Sequence, residues 1–180
     1  MDDITVELAK LHVLSGAEFS RQVERIASRR EFHPLEGETD IFIAGGEQRN
    51  DFENLLNAAH KAVEHGYRVF ILPNPKGIRT ADFIFERKGT YRLYDLKTIY
   101  GKSSVINRLI ESIGQSNNIL LNIVTTYSAR ILAKDIIKYF NSNPNALEVM
   151  IFKGNKIIQL KRVSVENKDF IKKFIHRYNI

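Results

Sequence analysis

The run from Ile119 to Val124 most constrains what this chain can fold into. An apolar stretch of that length reads as a β-strand buried on both faces, which calls for a sheet with helices packed above and below it. The flanking segments agree. Phe52, Leu55, Leu56, Ala59 and Val63 follow helical spacing, and Gly66 stands where a helix-terminating glycine belongs. Tyr67–Leu72 reads as a strand, and 73–77, with two prolines and a glycine, as a loop. Ala81–Glu86 and Tyr91–Lys97 are strands joined at Arg87-Lys88-Gly89-Thr90, and Leu147–Phe152 and Lys156–Leu160 flank Gly154-Asn155, so each pair predicts a hairpin. Helices are expected from Ser103 or Ser104 over Val105–Ile113, over 128–140, and over Glu166–Tyr178. The expectation is an α/β chain with a mixed sheet.

Ahead of this body, 1–14 and 17–30 carry amphipathic helical stripes on Ile4, Leu8 and Leu11 and on Phe19, Val23 and Ile26. Arg21, Arg25 and Arg29 are expected on a solvated face. Residues 31–38 read as a loop, and Ile41–Ile43 as a short strand closed by Gly45-Gly46. The expected division is a helical N-terminal extension, 1–45, and a main domain, 46–180.

The chain has 180 residues, 43% hydrophobic and 27% charged, which is globular composition. No apolar run reaches the roughly 18 residues of a membrane span, and the acidic start lacks the pattern of a secretory leader. Cys is absent, so there are no disulfides or thiolate metal sites. A reducing, cytoplasmic setting is the expectation. Charge is uneven: residues 1–90 hold 12 Lys and Arg against 15 Asp and Glu, and residues 91–180 hold 15 against 6. A basic half suits a polyanionic partner, RNA or DNA.

The chemistry-bearing residues gather on the first hairpin. Asp95 and Lys97 are two apart on one strand and share a face. If Arg87 pairs with Thr90, paired numbers sum to 177 and Asp82 falls opposite Asp95, with Cβ atoms about 5 Å apart. Two such carboxylates repel unless compensated, and a hard divalent cation bound through oxygen compensates them. With the Lys97 ammonium beside them at an open sheet edge, metal-assisted phosphodiester cleavage is the expectation. An ion pair between Asp95 and Lys97 with no catalytic part is the plainer alternative.

These residues resemble the PD-(D/E)xK nuclease superfamily. The finer resemblance is to the C-terminal nuclease domains of contact-dependent growth inhibition toxins, tRNA-cleaving members included. It rests on the stretch 66–73, Gly-Tyr-Arg-Val-Phe-Ile-Leu-Pro, on Asp82-Phe83-Ile84, on Asp95-Leu96-Lys97, and on Gln115 with the strand after it, and so covers about 50–124. The sequence departs at Ala81, where the pattern has Pro, and at Asp95, where it more often has Glu. The resemblance implies a restriction-endonuclease-like fold, Asp82 and Asp95 as ligands of Mg²⁺ or Mn²⁺, and Lys97 as the catalytic lysine. It further implies a helix acid, Glu53 ahead of Glu64 and Glu47, a substrate-contacting Gln115 on the polar side of its helix, RNA as substrate, and a cognate immunity protein as partner.

Lys102 and Arg108, and the stripe Arg130, Lys134 and Lys138 at four-residue spacing, are candidates for nucleic-acid contact, with Tyr127, Tyr139 and Tyr178 for stacking. His60 and His65, five apart, are expected on the surface rather than as a ligand pair. The competing functional reading keeps the scaffold and its basic half but binds nucleic acid without cutting it. A pure interaction module of the immunity type is disfavoured, because a basic nuclease partner calls for an acidic protein.

Overall fold

The computed structural model describes residues 3–45, 49–101 and 105–180. The chain folds as two compact units, Met1–Asp95 and Leu96–Ile180, whereas the sequence reading set a boundary at 45. Each unit forms mixed sheet flanked by helices, as the apolar patterning requires.

In the first unit, α1 (Ile4–Lys10) and α2 (Gly16–Ala27) precede β1 (Phe32–Pro34) and β2 (Ile41–Ala44). Helix α3 (Phe52–Glu64) leads to β3 (Arg68–Ile71), and the hairpin of β4 (Phe83–Arg87) and β5 (Thr90–Ile99) follows. Strands β2 and β3 are parallel and joined through α3; the β1–β2, β3–β4 and β4–β5 pairs are antiparallel. Gly66 has φ +84°, so it ends α3 in the left-handed region, as its position in the sequence predicts.

Two expectations fail here. Residues 32–34 are a strand rather than loop; it is three residues long, pairs only with β2 and holds Pro34, the use of proline that an outer strand tolerates. Arg29 is not on a solvated face. Its guanidinium is 2.9 Å from Glu7, which is 3% exposed, and it also pairs with Glu31, so it ties the segment after α2 to α1. Both helices then join one apolar cluster with β3, β4 and β5, including Leu8, Ile26, Phe70, Ile84 and Leu93.

The second unit takes up the end of β5 and continues through α4 (Val105–Glu111), β6 (Asn118–Ile123), α5 (Ala129–Ser142), β7 (Glu148–Lys153), β8 (Lys156–Lys161), α6 (Arg162–Val165) and α7 (Phe170–Asn179). Strands β6 and β7 are parallel around α5, and β7–β8 is the second predicted hairpin. All six residues of β6 are buried, which is why its sequence lacks the alternation of a half-exposed strand. Ser128 caps α5 by accepting from the Ile131 N–H. That helix buries Leu132, Ala133, Ile136, Tyr139 and Phe140, while α7 buries Phe170, Phe174 and Tyr178 at four-residue steps.

No helix among the described residues is long and apolar enough to cross a membrane.

Candidate active site

The first-hairpin register is the predicted one. Phe83 faces Tyr94 and Arg87 faces Thr90, so paired numbers sum to 177. A turn of positive φ, Lys88 at 51° and Gly89 at 78°, closes it, and the Gly89 N–H donates to Glu86 Oε1 at 2.7 Å. One step beyond the first rung of β4 lies Asp82. Its N–H donates to Tyr94 O at 3.0 Å and its carbonyl accepts from the Leu72 N–H at 2.9 Å. The Asp82 backbone is thus held from both sides, but the ladder pairing ends at Phe83–Tyr94 and the bond to Tyr94 O is one residue out of the 177 register, so the expected rung of Asp82 opposite Asp95 does not form.

The surroundings differ from an open rim. Strand β4 lies between β3 and β5, and Asp82 and Asp95 are only 8% and 2% exposed. Asp82 also has a cationic partner that the sequence did not point to. Arg49 Nη2 donates to Asp82 Oδ1 at 2.7 Å, while the same guanidinium holds Asp51 through two bonds of 3.0 Å. Arg49 Nη1 reaches Leu72 O at 3.4 Å. Burial disfavours the Arg49 charge, but the Asp82 and Asp51 carboxylates outweigh it and raise its pKa. Nothing in the local pattern around 49 signals this pairing, because its partner lies 33 positions away and only the fold joins them.

Asp82 and Asp95 would offer a hard cation two carboxylates, one oxygen of which Arg49 already engages. No third acid among the described residues joins them. Among the described residues no group of three or more His, Asp or Glu is placed to share a metal ion. Glu53 sits exposed in the first turn of α3 and Glu64 exposed in its last, while Glu47 lies outside the described residues.

Lys97 follows Asp95 by two positions on β5, on the same face by alternation, and is half-buried in the second unit. Gln115 is not on a helix. Helix α4 ends at Glu111, the Ser112 hydroxyl donates back to Leu109 O at 2.6 Å, and Gly114 at φ +90° carries the chain into a turn in which the Gln115 N–H meets Ser112 O. Arg130, Lys134 and Lys138 line the exposed side of α5, and Arg108 is half-buried on α4. Lys102, Ser103 and Ser104 lie outside the described residues. Tyr127, Tyr139 and Tyr178 are 8%, 0% and 1% exposed, so they are core side chains and not stacking platforms. His60 is exposed and pairs with Glu38.

No family model matches this sequence, and no curated protein matches it. Among solved structures, the chain is similar to one described as the CdiA-CT/CdiI toxin and immunity complex from Burkholderia pseudomallei. The TM-score is 0.43 and the identity 16%, over 66% of this chain and 98% of that one.

Proposed function

We propose that this chain is a metal-dependent nuclease that hydrolyses phosphodiester bonds, with RNA, and tRNA in particular, as the substrate class that the sequence resemblance implies. The observation that carries the reading is that Asp82, immediately ahead of the β4–β5 pairing, bonds through its N–H to Tyr94 O on the strand that carries Asp95 and Lys97. Asp82 and Asp95 bind Mg²⁺ or Mn²⁺. When bound, such an ion polarises a phosphoryl oxygen and acidifies a bound water. Lys97 offsets charge developing on the phosphate, and Arg49 fixes the Asp82 carboxylate. The resemblance alone makes Glu53 the helix acid that assists the two aspartates and Gln115 a substrate contact, and Lys102 and Arg108 are assigned to nucleic-acid contact by their charge alone. A toxin-type or mobile-element role, with a cognate immunity protein as partner, follows from the same resemblance.

The test is incubation of the wild type and Lys97→Ala with total RNA, tRNA and plasmid DNA, with Mg²⁺, with Mn²⁺ and with chelator. Cleavage that needs both metal and Lys97 supports the reading.

One observation favours a second reading. Asp82 is buried and already neutralised by Arg49, which is how a carboxylate with no metal to bind is accommodated. On that reading the scaffold binds nucleic acid through the exposed cations of α5 and cuts nothing. Salt-dependent binding that is indifferent to chelator, without cleavage, supports it.

A further inference from the structure

The β7–β8 hairpin ends in a pair of like charges. Lys153 and Lys156 face each other across its last rung, on either side of Gly154-Asn155, with Gly154 at φ +55°. Cross-strand neighbours of one sign repel. Here both ammonium groups also turn to one acceptor, the backbone oxygen of Tyr178 in the last turn of α7. Lys153 Nζ donates to it at 2.9 Å and Lys156 Nζ at 3.4 Å. Lys153 Nζ also lies 3.8 Å from the centre of the Tyr178 ring. Among the described residues neither lysine forms an ion pair with a carboxylate.

The arrangement divides the two amines. One oxygen and one ring face serve two positive charges, so loss of one proton relieves their repulsion. That loss costs no hydrogen bond, because a neutral amine still donates an N–H to Tyr178 O. The ring contact favours the ammonium form, but burial and the Lys156 charge act against it and lower the Lys153 pKa. The other groups nearby bring no negative charge. Burial raises the pKa of the Tyr178 phenol and so keeps it neutral, and the last turn of α7 adds His176 and Arg177. Lys153 is half-buried and thus within reach of a small reagent. A lysine that is desolvated and set beside a second cation is an activated nucleophile.

We propose that Lys153 is an acylation site for acyl phosphates, with the Lys153 amine as nucleophile and the Lys156 ammonium as the anchor of the phosphate. The neutral Nζ attacks the acyl carbon. The carbon–oxygen bond to phosphate breaks, and inorganic phosphate leaves with the bonding electrons. The Nζ proton passes to water. The product is an uncharged amide, which ends both the charge pair and the cation–ring contact. None of this depends on Asp82, Asp95 or Lys97.

Incubation of the full chain with acetyl phosphate at neutral pH, followed by peptide mass spectrometry of each lysine, tests it. Lys153 is acetylated roughly tenfold faster than Lys134 and Lys172, which are exposed on α5 and α7. Its rate reaches a plateau at lower pH than theirs. Lys156→Gln slows Lys153 roughly tenfold at neutral pH with the circular dichroism unchanged, and Lys156→Arg keeps the fast rate. With acetic anhydride, an uncharged acyl donor, the advantage of Lys153 over Lys134 shrinks, because only the acyl phosphate carries an anion for Lys156 to hold. Lys153 reacting no faster than Lys134 and Lys172 in acetyl phosphate, or at a rate indifferent to Lys156→Gln, overturns the assignment. An equal advantage with the anhydride overturns the phosphate anchor.

Discussion

Arg49 and Asp82, 33 positions apart in sequence, meet through a hydrogen-bonded ion pair of 2.7 Å in which both side chains are largely buried. The pair joins the segment before α3 to the start of β4. It also sets the terms on which Asp82 can bind anything else, since a cation at Asp82 competes with a guanidinium already in place.

Arg49→Gln therefore has two readouts. Removing the charge partner of a carboxylate that is 8% exposed costs about 2 kcal/mol, seen as a lower urea midpoint at unchanged slope. Adding Asp82→Asn recovers part of the loss, because the two changes couple through one contact. If Asp82 is a metal ligand, Mn²⁺ raises the melting temperature more in Arg49→Gln than in the wild type.

The hairpin turn is sensitive to backbone change. Gly89 sits at φ +78°, where a Cβ costs about 1–2 kcal/mol. Gly89→Ala lowers the urea midpoint accordingly, with circular dichroism at low denaturant unchanged.

Asp135 gives the second unit a pH signature. Burial raises its pKa above the ordinary 3.8, while the Lys138 charge, the Ile106 backbone N–H and the Tyr127 hydroxyl pull the other way without winning. The folded protein therefore holds this proton more tightly than the unfolded chain does. The group's contribution to stability is fully present below 3.8 and is lost as pH rises through the raised folded value. Asp135→Asn removes the group, so melting-temperature differences between variant and wild type favour the variant more at pH 7 than at pH 4.

Ile136 is fully buried on α5 in the core of the second unit. Ile136→Ala costs about 3 kcal/mol, measured by urea denaturation, because deleting the side chain leaves a cavity that neighbours only partly fill.

What the sequence disclosed followed physical range. Helix and strand positions, the Gly66 stop and the 177 register rest on periodicity and on a turn that requires positive φ, all local, and these were legible. Strand β1 escaped because three residues with a proline carry too little pattern to signal a strand. Gln115 was placed a turn too far along its helix because the Ser112 back-bond and Gly114 end it early. The burial of Asp95, the Arg49 partner and the Glu7–Arg29 tie depend on packing between segments distant in sequence, which a one-dimensional pattern does not encode.

The most direct measurement is the single-turnover cleavage rate of tRNA in Mg²⁺ for the wild type, Asp82→Asn and Asp95→Asn, each confirmed folded by its melting curve. The account predicts cleavage by the wild type that chelator abolishes, and a loss of roughly 100-fold or more in each variant. Variants that cut as fast as the wild type would contradict it.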